Sequence, residues 1–321
     1  MLYRSVVVHI GFLMAAMSGE FELIEWIRSQ AQANSRVTLG IGDDAAAISF
    51  PEPGECLVAV DTLMEGVHFR YPEMSAAQIG YKSLAVNLSD IAAMAGKPLA
   101  AVIGIVFNRK EGPQFARELE RGLLDLAAKF NVALIGGDTN TWVGPCVVSV
   151  TVLGETTGRG AVRRDGAKIG DWILVTGDLG GSFAGKHFQF TPRIDEALAL
   201  YQAAELHAMI DVSDGLAADL FHILEESRVG ARLEARQIPI SEAAKTIADD
   251  RSPLEHALGD GEDFELLFTV SPDDGKRLIE NPPIAVPITK IGEICPEGTY
   301  ELIDEAGETQ PLKKTGWVHQ F

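Results

Sequence analysis

The chain of 321 residues has little cysteine and is short of positive charge, with three Cys and 27 Lys plus Arg against 46 Asp plus Glu. Cys56, Cys146 and Cys295 are odd in number and far apart. They offer neither a disulfide framework nor a metal-ligand spacing, and a reducing cytoplasm is the expected setting. A formal charge of −19 argues against a nucleic-acid partner and against an anionic membrane surface. The apolar stretch within Met1–Ala16 is shorter than the ~20 residues a membrane helix needs, and no clear small-x-small cleavage site follows it. Residues 1–17 are read as a disordered or over-extended start, with the functional beginning at Met17-Ser-Gly-Glu-Phe21. No low-complexity run or short repeat is present. A true phosphate loop is also missing. Gly180-Gly-Ser-Phe-Ala-Gly185-Lys186-His187 nearly matches G-x-x-x-x-G-K-[ST], but His187 stands where the Mg²⁺-binding hydroxyl belongs.

What the chain does have is aspartate, placed where apolar or small residues meet glycines or a helix start. The segments are Gly40-Ile-Gly-Asp-Asp44, Val58-Ala-Val-Asp61, Asn87-Leu-Ser-Asp90, Ile135-Gly-Gly-Asp138 and Ile210-Asp-Val-Ser-Asp-Gly215. A carboxylate at a strand end loses solvation unless a cation sits against it, and several together repel. Such a set suits a cage for hard divalent ions, Mg²⁺ first, carrying a nucleotide phosphate. In the sharpest segment Asp211 and Asp214 bracket Ser213 just before a helix, where backbone amides and the helix dipole favour a phosphate. N-capping would explain one of those acids but not both. An EF-hand does not fit, because its twelfth position would be His222.

Periodicity predicts a helix over 21–32, a short buried strand over 57–60 and a helix opened by the capping box Ser75-Ala-Ala-Gln78, stopping at Gly96. Strands are expected over 101–107, 132–135, 146–153, 172–176, 265–270 and 288–294, and helices over 113–129 and 215–227. The glycine-rich, basic stretch 154–170 is the best domain boundary, giving an N-terminal Mg·ATP-binding domain over 18–155 and a C-terminal domain over 156–321. Strands and helices alternate without a clean βαβ period, so α+β fits at least as well as α/β.

Taken together, Gly19-Glu-Phe21, Gly40–Asp44, Asp61-Thr-Leu-Met-Glu-Gly-Val-His-Phe69, Leu84–Met94, Ile135–Thr139, Ile210–Leu216 and Gly261-Glu-Asp-Phe-Glu-Leu266 resemble the thiamine-monophosphate kinases. These belong to the superfamily of aminoimidazole ribonucleotide synthetase and selenophosphate synthetase. The resemblance covers the chain from Gly19 on. It implies a two-domain fold, an N-terminal sheet domain that dimerises plus a C-terminal α+β domain, with the active site in the cleft between them. It also implies direct transfer of the ATP γ-phosphoryl group to thiamine monophosphate, helped by several Mg²⁺ ions. Asp44, Asp61, Asp90, Asp138, Asp211 and Asp214 would be the Mg²⁺ ligands. Gly137, Asp138, Arg164 and Ser213 would contact the nucleotide, and His68, Glu262 and Trp317 the thiamine phosphate. No covalent nucleophile is expected, and the catalytic residues stay unassigned.

The nearest alternatives are sister enzymes of the aminoimidazole ribonucleotide synthetase type and a non-catalytic Mg·ATP-binding regulator. No Cys precedes Cys56, as a selenophosphate synthetase would need, and the chain ends in Gln320-Phe321 and not in the Cys of the hydrogenase-maturation relative. One departure stands out: a hydroxyl residue is expected just before Asp61, and Ala59-Val60 is found there. Replacing Val60 by Thr should lower the Mg²⁺ concentration that gives half-maximal activity, and an unchanged Mg²⁺ titration would refute this.

Overall fold

The computed structural model describes residues 26–27, 29–32, 34–39, 47–50 and 54–317. Gly19–Phe21, Asp44 and half of the helix expected over 21–32 lie outside them.

The first half is a four-stranded sheet covered on one face by helices. After a short pair, β1 (Val37–Leu39) and β2 (Ala47–Ile48), come β3 (Cys56–Met64), β4 (Lys97–Asn108), β5 (Ala133–Trp142) and β6 (Val147–Glu155). Their order is β3-β6-β4-β5, antiparallel except for β4–β5. The parallel pair needs a crossover, which helix α2 (Gly112–Lys129) supplies. The expected buried strand over 57–60 is longer and one-sided. Leu57 and Leu63 are buried, whereas Val58 and Val60 are 63% and 61% exposed. Pairing with β6 fixes the pleat, and the alternation turns every second side chain to the open face.

Helix α1 (Ala76–Ala93) lies on the buried face. Its capping box forms as expected: Gln78 N–H donates to Ser75 Oγ at 3.3 Å and Ser75 N–H to Gln78 Oε1 at 2.9 Å. The end differs, since Ala95 and not Gly96 takes the left-handed turn, at φ 51°. Gly96 is required for space instead: a Cβ there would come within 2.4 Å of Leu57 Cδ1. Helices α1 and α2 cross at two glycines. A Cβ on Gly80 would meet the Leu119 carbonyl oxygen at 1.9 Å, and one on Gly122 the Ala77 oxygen at 1.8 Å.

A stretch without helix or strand, 156–171, leads to the second half. Here β7 (Trp172–Thr176), β8 (Ala208–Asp211), β9 (Gly230–Glu234), β10 (Leu266–Val270), β11 (Ile288–Cys295), β12 (Tyr300–Ile303) and β13 (Thr309–Pro311) form one sheet in the order β13-β12-β9-β11-β7-β10-β8. All its pairs but β12–β9 are antiparallel. Helices α3 (Ile194–Ala203), α4 (Leu216–Ser227), α5 (Glu242–Thr246), α6 (Pro253–Gly259) and α7 (Pro272–Glu280) complete it. The mainly antiparallel sheets make the fold α+β. One sheet face, carrying Leu174, Met209, Leu266 and Phe268, joins the core built by α1 and the first sheet. The other, carrying Ile173, Ile210 and Leu267, packs with Leu216, Leu220 and Ile223 of α4.

Because the clash is backbone against backbone, Gly122→Ala should lower the unfolding free energy by about 2–3 kcal/mol, read by urea denaturation. A midpoint equal to wild type would show that the helices slide apart at no cost.

Candidate active site

Helix α1 carries the centre of the site because it touches both halves. Asp90, in its last turn, faces Asp61 in the middle of β3 and Asp211 at the end of β8. Asp61 and Asp90 share a hydrogen bond, which two carboxyls form only if one is protonated. The proton is held by Asp90, pushed up to about 8 by burial and then by the charges of Asp211 and Asp61, with Arg164 opposing. Burial likewise raises Asp61, whose bond with Asp90 opposes the rise and whose neighbour Asp214 adds to it. Asp211 is buried and also raised by burial, although Ser89 Oγ donates to its Oδ2 at 2.6 Å. These hard-oxygen donors, three of them raised by burial, fit with Asp214 a divalent cation, whose charge would reverse that shift.

Asp214 enters through the turn between β8 and α4, and here the structure corrects an expectation. The amides of Ser213, Asp214 and Gly215 converge on Asp219 Oδ2 at 2.9, 3.0 and 3.1 Å. The nest expected to take a phosphate is filled by the chain's own carboxylate, because Asp219 lies one turn into α4 and reaches back. Burial, then Asp211 and Asp214, push Asp219 up to about 8 despite the amide bonds.

Two cavities flank the acids. The first, of about 220 Å³, is lined by Asp61, Asp90, Asp211, Asp214, His68, Glu262 and Trp317, and also by Lys82 and Phe183. The second, of about 430 Å³, is lined by Asp90, Arg163, Arg164, Met94, Met209 and His222. Asp90 is common to both.

Trp317 reaches the first cavity from the far end of the chain because its N–H donates to the Asp214 carbonyl at 2.9 Å, while Ala218 N–H donates to Thr315. His68 Nδ1 accepts from Met64 N–H at 3.0 Å, so the ring proton sits on Nε2. Glu262 lies in a turn whose backbone is strained: it and Phe264 have φ of 54° and 50°. Left-handed non-glycine residues cost roughly 1–2 kcal/mol each. Bonds from Glu262 N–H to the Ser213 carbonyl at 2.7 Å and from Phe264 N–H to Val212 at 2.8 Å hold the turn in place.

The near-match to a phosphate loop has its amides occupied as well. Gly180 N–H donates to Asp263 Oδ2 at 2.8 Å and Gly181 N–H to Asp260 Oδ2 at 2.9 Å. It cannot cradle phosphate while those bonds stand.

Of the sequence-predicted ligands, Asp61, Asp90, Asp211 and Asp214 come together. Asp44 lies outside the described residues. Asp138 and Gly137 are not at a strand end but inside β5, the edge strand, because pairing with β4 runs on to Trp142. The register sets Asp138 beside Gly104 and, through it, Ser149 and Thr62, on the sheet face opposite Asp61. Sequence reasoning missed Lys82, Ser89, Phe183, His187 and Asp219. A signal existed for two of them. Lys82 falls on the apolar stripe of α1 with Ile79 and Val86, and Asp219 falls on that of α4 with Leu216 and Ile223.

Comparison with known proteins gives the family. Residues 42–156 match the family model of the AIR synthase related protein N-terminal domain, and 168–305 that of the C-terminal domain. A thiamine-monophosphate kinase of Rhodopirellula baltica is 42% identical over 284 residues, covering 86% of this chain and 89% of the relative. The chain belongs to the thiamine-monophosphate kinase family. A crystal structure of thiamine-monophosphate kinase from Stenotrophomonas maltophilia superposes with a TM-score of 0.79 at 35% identity, covering 91% of this chain and 98% of that one. Another solved structure, "AaThiL complexed with AMPPCP and TMP", does so at 0.72 and 29% identity, covering 94% and 97%.

The raised carboxyls set a pH dependence. In chelator-treated protein Asp90 and Asp219, both near 8 when folded, hold protons that carboxyls at 3.8 in the unfolded chain release. Folding therefore takes up protons between those values, so this stability is greatest at the acid end and is lost as pH rises through 8. The thermal midpoint without divalent ions should fall between about pH 6 and about pH 9, and millimolar Mg²⁺ should flatten the curve. A flat curve in chelator would show that these carboxyls are ionised throughout.

Proposed function

We infer that this protein transfers the γ-phosphoryl group of ATP to thiamine monophosphate, giving thiamine diphosphate and ADP. The observation that carries the reading is the carboxylate cluster between two cavities, with Asp90 lining both. One cavity sets two guanidinium groups, Arg163 and Arg164, among the acids Asp90, Asp165 and Glu226, and so offers fork-shaped donors to a nucleotide phosphate chain. The other combines acids with exposed Phe183 and Trp317 and suits a flat, cationic heteroaromatic ring. Relatives at high coverage carry the same name, and a solved relative is described with a nucleotide analogue and TMP.

In this reading Asp61, Asp90, Asp211 and Asp214, joined by Asp44, hold Mg²⁺, whereas Asp138, on the opposite sheet face, stands apart from this cluster. Several bound ions would screen the charge gathered when the two phosphates meet. Arg164 contacts the nucleotide, while His68, Glu262 and Trp317 hold the acceptor; Ser213 lines the acceptor cavity, and Gly137 and Asp138 lie in the edge strand away from both cavities. The His68 Nε2–H can donate to an anion without the ring carrying charge. The attacking group is a phosphate oxygen, largely ionised at neutral pH, so no general base or nucleophile is required of the protein. Residues 18–155 then form the Mg·ATP half and 156–321 the second domain.

The open face of the first sheet supports a homodimer, since Val58, Val60, Met64 and Trp142 are exposed there. Among the described residues no helix is long and apolar enough to cross a membrane. With the composition, this supports a cytoplasmic enzyme without nucleic-acid or membrane partners.

The test is ADP formation from Mg·ATP with thiamine monophosphate, thiamine and aminoimidazole precursors as parallel acceptors. Turnover is expected only with thiamine monophosphate, and Asp211→Asn should reduce it about 100-fold or more. Sedimentation equilibrium should report twice the chain mass. Mg·ATP binding with no turnover on any acceptor would instead establish a regulator, and a monomer would exclude the sheet-to-sheet dimer.

A further inference from the structure

Among the described residues Lys82 is the largest polar side chain that is buried, 1% exposed on α1. An ammonium is retained there only if its protons are bonded. Two reach Glu262, at 2.8 Å to Oε1 and 2.7 Å to Oε2, and the third reaches the His68 carbonyl oxygen at 2.9 Å. With three donors spent, the 3.1 Å approach of Lys82 Nζ to His187 Nδ1 is a contact and not a fourth bond. His187 Nδ1 lies 2.9 Å from Glu262 Oε2, and the tautomer that satisfies both groups donates from Nδ1 to that oxygen.

Glu262 is thus gripped from both halves of the molecule. Lys82 comes from the helix of the first, and His187 comes from the segment beginning at Gly180 in the second. That segment is itself pinned, since Ser182 Oγ donates to the Gly261 carbonyl at 2.6 Å, one residue from Glu262. It also presents Phe183 to the cleft. Burial alone would raise Glu262, but the His187 hydrogen bond and the Lys82 charge hold it below the usual carboxylate range. A charged carboxylate with three of its about four acceptor sites filled by the protein is fixed in direction and keeps one for a ligand. The same ammonium also holds the His68 turn, so the two ends of the acceptor cavity are set relative to each other by one group.

We propose that Lys82, assisted by His187, is a positioning residue for the acceptor substrate. It keeps Glu262 ionised and oriented toward the N–H donors and positive charge of an aminopyrimidine–thiazolium ring system. This rests on the reading of the first cavity as the thiamine monophosphate site.

Lys82→Met keeps the length and removes the ammonium. KM for thiamine monophosphate should rise about tenfold or more, as for loss of a charged hydrogen-bond partner, while KM for ATP and kcat stay within about threefold. Adding Lys82→Met to Glu262→Gln should raise that KM no further, because both act through one carboxylate. An unchanged KM for thiamine monophosphate overturns the proposal, and so does a loss falling equally on both substrates. Should Lys82→Met not fold, His187→Ala carries the test: a rise confined to the thiamine monophosphate KM supports the proposal, and no change overturns it. Failure of the functional reading is separate and visible first, as absence of turnover by the wild-type chain.

Discussion

Repulsion among carboxylates that cannot reach bulk water is the interaction around which this protein is organised. Asp61, Asp90, Asp211 and Asp214 come from a strand, a helix end, a strand end and a turn. Each element by itself would place its acid with little penalty. Brought together and half desiccated, they become costly unless protons or cations enter, and burial has already moved Asp61, Asp90 and Asp211 in the protonated direction. A site that is unfavourable when unliganded and relieved by divalent charge converts metal binding into structural stability.

The surrounding polar groups follow from the same constraint. Backbone amides that could have served a phosphate are turned onto acids of the chain itself: Asp219 in one turn, Asp260 and Asp263 in the glycine-rich loop. This differs from a phosphate loop, where free amides meet the nucleotide. Here the amides stiffen the turns that carry the acids, and the donors remaining at the second cavity are the side chains of Arg163 and Arg164. Spacing glycines correctly is therefore not enough to make a phosphate site, since what the amides already hold decides.

Much of the fold was legible because its signals are local. The Ser75–Gln78 capping box and the apolar strands at Trp172 and Leu266 need no tertiary information. The strand at Val58 was misjudged because four apolar or small residues in a row cannot say which face is covered; the partner strand decides that. The clustered acids Asp61, Asp90, Asp211 and Asp214 stand out in sequence at strand and helix ends, while Asp219 and Lys82 were hidden inside helical stripes, where a charged residue looks like an interruption. Their partners lie on other elements, Glu262 being 180 positions from Lys82. Asp138 shows the converse: its segment stands out in sequence, yet only strand register reveals which face it occupies.

Helix α1 has a consequence beyond the site. Leu84 and Leu88 belong to one continuous apolar cluster with Val150 of the first sheet and Phe268 of the second. The two halves, although built from separate stretches of chain, thus share one apolar cluster, while the far face of the second sheet keeps its own. Neither can be stripped from the other without opening oil to water on both, so they should melt as one cooperative unit, with a single heat-absorption peak in calorimetry. Opening for substrate exchange must then be carried by the loops at the rim, since a hinge between the halves would break that core.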